Sequence, residues 1–188
     1  MRIRKRFYTI VVILAALAFA ALAVCVRIEE HYFPAKFRLL VKKHAHEHGI
    51  DPLLAAAMIS KESRFDIKAV SGSSAKGLMQ IMPGTGEEIA GKLKVKPYSE
   101  SDLFDPDTNI RFGCYYMAKM QKEFDADITL ALAAYNSGRE NVKKWLSSEG
   151  NTAENLADKY PFTETRNYVR SVRRIYWLLR LCDRLISL

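Results

Sequence analysis

The sequence predicts a mainly α domain behind a single N-terminal transmembrane helix, and three observations predict it. An uncharged run of 20 residues, Phe7–Val26, follows the basic side chains Arg2, Arg4, Lys5 and Arg6. Beyond that run, apolar residues recur at three- and four-residue intervals, and alternating strand patterns are nearly absent. The chain has 188 residues, 49% of them apolar, which is enough for one compact domain with its own core. Its charge and hydropathy are too ordinary for a disordered, collagenous or many-spanning protein.

As a helix, Phe7–Val26 reaches about 30 Å, the thickness of a bilayer's hydrocarbon core. A cleavable signal has a shorter apolar stretch of roughly 7–15 residues ahead of a small-residue site. Ala21-Leu22-Ala23 offers such a site, so secretion after cleavage is the alternative to an uncleaved anchor. A lipid-attachment site at Cys25 is disfavoured, because Val24 stands where a small residue is expected. The basic side chains are expected to stay cytoplasmic and to send everything after Arg27 across the membrane. The expected division is a cytoplasmic basic segment 1–6, a transmembrane signal-anchor 7–26, a stalk 27–36 and one domain 37–188.

Within that domain, Phe37, Leu40, Val41, His44 and His48 recur at helical spacing, and Gly49 supplies the stop. Asp51-Pro52 is an N-cap followed by proline at the first helical position, so a second helix opens there and runs through LLAAAMISKES. Thr85 with Glu88 predicts a capping box for a third. Asp105-Pro106 opens another, along which Ile110, Cys114 and Met117 share a face. The Ala-rich TLALAAY segment is a short buried helix ending near Gly138. A last long helix starts near Thr163, with Tyr168, Val172, Ile175 and Leu179 on one side. The loop SGSSAKG and the stretch 92–102 are the expected irregular or short-strand regions.

The net charge of +8 invites nucleic acid as a partner until the charge is located. Residues 1–26 contribute +4, residues 27–158 hold 18 basic and 19 acidic side chains, and residues 159–188 contribute +5. The body is nearly neutral, so nucleic acid is not expected. The excess on the last helix suits anionic lipid, cell-wall polymer or solvent. Three cysteines cannot build a disulfide framework, and Cys114 and Cys182 each fit a helical core face better than a mutual bond. His44, His46 and His48 lack a surrounding zinc motif and are read as solvated surface. Asp105, Asp107 and Asn109 echo a calcium loop, but Ile110 stands where glycine is needed and Tyr116 where glutamate is needed. No metal or other cofactor is expected.

One carboxylate stands apart. Glu62 shares a helical face with Ala55, Met58 and Ile59, with Phe65 one turn beyond. Apolar surroundings disfavour the anion and raise the pKa, which keeps a general acid protonated near neutral pH. A helix-end glutamate paired in solvent with Lys61 or Arg64 is the plainer account of this helix taken alone.

The surrounding motifs favour the acid. Glu62-Ser63-Arg64-Phe65 is followed by Gly77-Leu78-Met79-Gln80-Ile81-Met82-Pro83, then Ala134-Tyr135-Asn136-Ser137-Gly138, then Glu164-Thr165-Arg166-Asn167-Tyr168-Val169. Over about residues 37–180 this ordered set resembles the family 1 lytic transglycosylases, the soluble-lytic-transglycosylase-like (SLT) domain. That resemblance implies a lysozyme-like fold, of the α+β class with minimal strand. It implies Glu62 as the catalytic glutamate with Ser63 beside it, and Gln80 and Met82 lining the sugar cleft. Tyr135 and Asn136 would stand near the acid, and Glu164 and Tyr168 would close the site. The implied substrate is the glycan strand of peptidoglycan, cut between N-acetylmuramic acid and N-acetylglucosamine. A monomer anchored in the cell membrane, with its catalytic domain outside the cytoplasm, is expected.

The resemblance also implies an unusual economy of carboxylates. Ordinary glycosidases use two. In the family's reaction the sugar's own C6 hydroxyl attacks C1, so Glu62 would protonate the glycosidic oxygen and then take the proton from that hydroxyl. Two alternatives stay open. Asp66, Asp107 or Glu140 as a second carboxylate would make a hydrolytic, goose-type lysozyme. A chain of this fold without chemistry would be a wall-binding module, against which the intact Glu62-Ser63 pair argues.

Overall fold

The computed structural model describes residues 2–187. Met1, Leu188 and the side chains of Arg2, Arg4 and Lys5, which carry most of the expected orientation signal, lie outside the described residues. The chain is mainly helical, as its periodicity predicts, and its β content is two isolated bridges, Val70 with Lys76 and Lys76 with Ile81. Both bridges fall in or beside the SGSSAKG loop, where short strand was expected.

Helix α1 (Arg2–Tyr32) contains the whole apolar run, and its segment Arg6–Tyr32 is long and apolar enough to cross a membrane. Its side chains from Phe7 to Val24 are exposed, while Cys25 is buried against the rest of the chain. The expected stalk is therefore mostly helix. Residues 27–32 complete α1, Phe33 is buried in the core, and Ala35 already begins α2 (Ala35–Glu47).

Two short helices of small and aliphatic residues form the centre. In α3 (Pro52–Glu62) every residue from Leu54 to Ser60 is buried, and α6 (Ile128–Ser137) buries Thr129 and Ala131–Ala134. A helix apolar on all sides has to be enclosed on all sides. The enclosing elements are α2, α5 (Pro106–Glu123), α7 (Arg139–Leu146), α8 (Ala153–Lys159) and α9 (Thr163–Ile186). Helix α4 (Pro83–Leu93) and a 3-10 turn at Glu100–Phe104 flank α5.

The caps explain the helix starts. Asp51 Oδ1 accepts from the Leu53 amide at 2.8 Å, and Asp105 Oδ2 accepts from Thr108 at 2.9 Å, each before a proline at the first turn. The Thr85–Glu88 box does not form. Pro83 starts α4 two residues earlier, with Met82 as its extended N-cap, and Glu88 instead pairs with Lys119 on α5 at 2.9 Å. Proline arrives with its φ preset and no amide to satisfy, so it outcompetes a later side-chain cap.

Helices α7 and α8 were not anticipated. They are eight and seven residues long and bury only Val142, Trp145 and Leu156, too little apolar periodicity to stand out. His44 also differs from expectation, being 1% exposed rather than solvated. Its two ring nitrogens meet Asp107 Oδ1 at 3.0 Å and Glu47 Oε2 at 3.1 Å, so it joins α2 to the start of α5. All three cysteines are free thiols, and Cys182 lies against Cys25 on α1.

Asp51 serves two helices at once, since its second oxygen accepts from the Tyr176 hydroxyl of α9 at 2.6 Å. Asp51→Ala removes the cap and leaves Tyr176 without its acceptor, and should lower folding stability by about 2 kcal/mol in denaturant titration. Asp51→Asn, which keeps a capping oxygen, should recover at least half of that loss.

Candidate active site

Glu62 is the last residue of α3, and the backbone leaves helical geometry directly after it. Ser63 caps the helix, and Arg64 and Phe65 follow with φ of 51° and 62°. Neither is glycine, so two successive left-handed residues store strain beside the glutamate. Surrounding contacts hold the turn in place. Ser63 Oγ donates to the Leu78 carbonyl at 2.8 Å, and the Phe65 ring stacks on Phe37 at 5.2 Å.

The Gly77-Leu78-Met79-Gln80 turn is held on several sides. Fully buried Asn109 accepts from the Met79 amide at 2.7 Å and donates to the carbonyls of Lys76 at 2.9 Å and Leu103 at 2.7 Å. The Tyr135 hydroxyl donates to the Met79 carbonyl at 2.8 Å. Gly77 has φ +72°, and a Cβ there would collide with the Leu103 carbonyl and the Asn109 amide. On α5, Gly113 leaves the space that the Met79 side chain fills. Gln80 spends its amide nitrogen inside the turn, on the Gly77 and Ala69 carbonyls at 2.9 and 3.2 Å.

Burial pushes the Glu62 carboxyl up to about 7, and the negative charge of Glu164 adds to the rise, while the Tyr168 hydroxyl and Lys61 oppose it. The hydroxyls of Tyr135 and Tyr168 are driven well above the usual tyrosine range, first by burial and then by Glu62. Both are neutral donors at any physiological pH. The Tyr168 hydroxyl approaches Glu62 closely enough to favour its anion, yet no partner meets it at full hydrogen-bond geometry.

Two cavities open on either side of Asn136, which lines both. One of about 210 Å³ is walled by Gln80, Met82, Tyr116 and Tyr135, and the other, of about 460 Å³, by Ser137, Phe162 and Glu164. Glu62 lines neither, and it is linked electrostatically to both through Tyr135 and Glu164. Of the eight expected site residues, Gln80, Met82, Tyr135, Asn136 and Glu164 form cleft wall. Ser63 pins the turn instead, and Tyr168 is buried beside Glu62.

Three residues of the site escaped the sequence. Asn109 was weighed only as a metal ligand. Tyr116 follows Phe112 by one helical turn, a signal that reads equally well as core. Phe162 sits just before the Glu-Thr motif. With Met82 it exposes apolar surface on the cleft, at 46% and 43% exposure, and such faces suit sugar rings.

The candidate second carboxylates lie elsewhere. Asp66 accepts from the Lys68 amide in its own turn, Asp107 is taken by His44 and Lys43, and Glu140 pairs with Arg139. None of the three is among the charges that act on Glu62, and Glu164 is. Among the described residues no group of three or more His, Cys, Asp or Glu side chains is placed to hold a metal ion.

Asn109→Ala takes the partner from the buried Met79 amide and Leu103 carbonyl, while the Lys76 carbonyl keeps the Ile81 amide, and should cost on the order of 3 kcal/mol of stability. Asn109→Asp should not rescue, because a carboxylate cannot donate to the two carbonyls. Glu62 gives an opposite result. Its folded pKa lies above the unfolded value near 4.5, so the unfolded state gives up its proton first as pH rises. Stability is therefore lost between about pH 4.5 and 7, and Glu62→Gln should stabilise the fold at pH 8 by on the order of 3 kcal/mol. The gain should shrink toward zero at pH 4 when the two melting curves are compared.

A family profile described as the transglycosylase SLT domain matches residues 40–157, which takes in Glu62, Gln80 and Asn136 and stops before Glu164. The soluble lytic murein transglycosylase of Escherichia coli K12 is 34% identical over 146 residues, covering 76% of this chain and 23% of that protein. The membrane-bound lytic murein transglycosylase C of Photorhabdus laumondii is 34% identical over 159 residues, covering 73% of this chain and 44% of that protein. Among solved structures, the 70 kDa soluble lytic transglycosylase of Escherichia coli superposes with a TM-score of 0.75 at 33% identity, over 82% of this chain and 25% of that one. An inactive glutamate-to-glutamine mutant of the lytic transglycosylase Slt from Pseudomonas aeruginosa gives 0.74 at 32% identity, over 81% and 25%. The chain thus spans about a quarter of the length of the soluble relatives and less than half of the membrane-bound one. With a similar helical fold at a third of residues identical and a family match over most of its body, this chain belongs to the transglycosylase SLT-domain family.

Proposed function

We propose that the domain is a peptidoglycan lytic transglycosylase, cleaving the β-1,4 bond between N-acetylmuramic acid and N-acetylglucosamine with a 1,6-anhydro product. The observation that carries this reading is the Glu62 carboxyl, held near a pKa of 7 beside neutral tyrosine hydroxyls and linked through Tyr135 and Glu164 to the two cavities that meet at Asn136. A group with that pKa populates both protonation states near neutrality, as a residue serving first as acid and then as base requires. Relatives of this family that are named lytic murein transglycosylases support the reaction class.

In the proposed reaction, Glu62 gives its proton to the glycosidic oxygen as the C1–O bond breaks and the N-acetylglucosamine end leaves as an alcohol. The acetamido carbonyl of the muramic acid residue stabilises positive charge at C1. Its C6 hydroxyl then bonds to C1 and returns its proton to the Glu62 carboxylate, so no water is consumed. The Tyr168 hydroxyl, which favours the anion, supports the interval between the two transfers. Gln80, Asn136 and Glu164 supply polar contacts along the strand, with Met82 and Phe162 as apolar faces. Holding the C6 hydroxyl close to C1 replaces a second catalytic group by proximity.

Residues 37–188 form the proposed catalytic domain, and α1 is its proposed single-pass anchor, with the domain outside the cytoplasm. The length and apolar character of Arg6–Tyr32 support the anchor.

Glu164 gives the hydrolytic alternative its one foothold, since it is the carboxylate that acts on Glu62. Mass spectrometry of muropeptides released from purified peptidoglycan separates the two reactions. Anhydro products, one water lighter, are expected, whereas reducing ends would mean a lysozyme and no release a binding module. Glu62→Gln should abolish release while leaving sedimentation with peptidoglycan intact. In wild type, kcat/KM should fall as pH rises through about 7. Tyr168→Phe removes a group that favours the anion, so the alkaline limb should move to higher pH as kcat drops.

A further inference from the structure

The far end of α9 takes no part in the cleft, and its geometry has a separate meaning. Helix α9 runs antiparallel to the outer end of α1. Ile175 shares a cavity with His31 and Tyr32, and seven residues further along α9, Cys182 lies against Cys25, seven residues back along α1. Extending that register brings Leu185 and Ile186 level with Leu22 and Ala21, inside the apolar run Phe7–Val26. Trp177 comes level with Glu30, about 6 Å beyond Val26 at the helical rise, which is the depth of a headgroup layer.

The side chains match those depths. Trp177, Leu181 and Leu185 follow at i, i+4 and i+8, and are 62%, 42% and 44% exposed. Arg180, level with Arg27, is exposed beside this stripe. Exposed Asp183 and Arg184 come level with Val24 and Ala23, within about 5 Å of the edge of the apolar run, a distance over which charged side chains reach back to the headgroups. Above it, at the junction of α1, α3 and α9, a cavity of about 480 Å³ is lined by Lys61, Arg64 and Arg174. Among the described residues, no carboxylate is within ion-pair distance of these three cations.

We propose that the last turns of α9 are seated in the outer leaflet alongside α1, with the Lys61–Arg64–Arg174 cavity receiving the phosphate of an anionic lipid headgroup. The proposal rests on α1 being a membrane anchor. Tryptophan belongs at the headgroup level, leucine below it, and arginine where it reaches phosphate. The stripe continues the apolar surface of α1, so one bilayer covers both. The seat fixes the height of the cleft, because Tyr168 stands 14 residues above Cys182 on the same helix, about 20 Å along its axis. Glu62 would thus work on glycan within a few nanometres of the membrane rather than wherever a loose tether reaches.

Full-length chain reconstituted in vesicles tests this with acyl-chain-brominated lipid as a contact quencher of tryptophan. Trp145 is nearly buried in the core, so the difference between wild type and Trp177→Phe isolates Trp177. At least half of the quenching should disappear in Trp177→Phe. Quenching should be greater when phosphatidylglycerol replaces part of the phosphatidylcholine, and the variant R174Q should lose at least half of that increment while still digesting peptidoglycan. A chain that floats with vesicles but shows equal quenching with and without Trp177 overturns the seat and leaves the anchor standing. A chain that does not float overturns both. An increment that survives undiminished in R174Q overturns the headgroup site. Binding of soluble wall polymer without any quenching assigns the cations to the wall instead, and also contradicts the proposal.

Discussion

A carboxyl group kept out of water at the end of a helix is the constraint on which the rest of the site depends. An ionised Glu62 would be far more stable in solvent, so the fold has to hold it where it is. It does so from several directions. The buried α3 supplies the apolar flank, the left-handed pair Arg64–Phe65 ends the helix directly after Glu62, and the buried hydroxyls of Tyr135 and Tyr168 lie within electrostatic reach of the carboxyl. Each of these is unfavourable or demanding taken singly. Their joint expense is the usual sign of a site selected for chemistry rather than for stability.

The turn that faces Glu62 is built with the same redundancy. Three side chains from three helices hold consecutive peptide groups of Gly77–Gln80: Ser63 from the end of α3, Asn109 from α5 and Tyr135 from α6. Polar side chains that seem made for substrate are thus partly committed to the scaffold. Ser63 and most of Gln80 act through the shape they impose. The surface left open on the two cavities comes from Asn136 between them and from the exposed faces of Met82 and Phe162.

The fold class was legible because its signals are local: Asp-Pro caps at Asp51 and Asp105, helical periodicity in α2, α5 and α9, and an uncharged run too long for a core helix. The rest depends on tertiary contacts that no local pattern announces. Short α7 and α8 exist only because Trp145 and Leu156 find a core to enter. His44 looked like a surface residue because Asp107, its partner, lies 63 positions away. The raised pKa of Glu62 was legible through its apolar neighbours. Glu164 as the charge that raises it further, and Asn109 as the pin of the turn, required the folded chain. The charge on α9 likewise gains a context only once Cys182 is seen beside Cys25, which sets that basic helix against the apolar helix α1.

The account therefore turns on how one proton is held. Carbon-13 NMR of the glutamate side-chain carboxyls, with Glu62 assigned by its disappearance in Glu62→Gln, measures this without any substrate. The account predicts a Glu62 transition centred near pH 7, well separated from the exposed glutamates. A Glu62 carboxyl that titrates near 4.5 with the surface residues would contradict it.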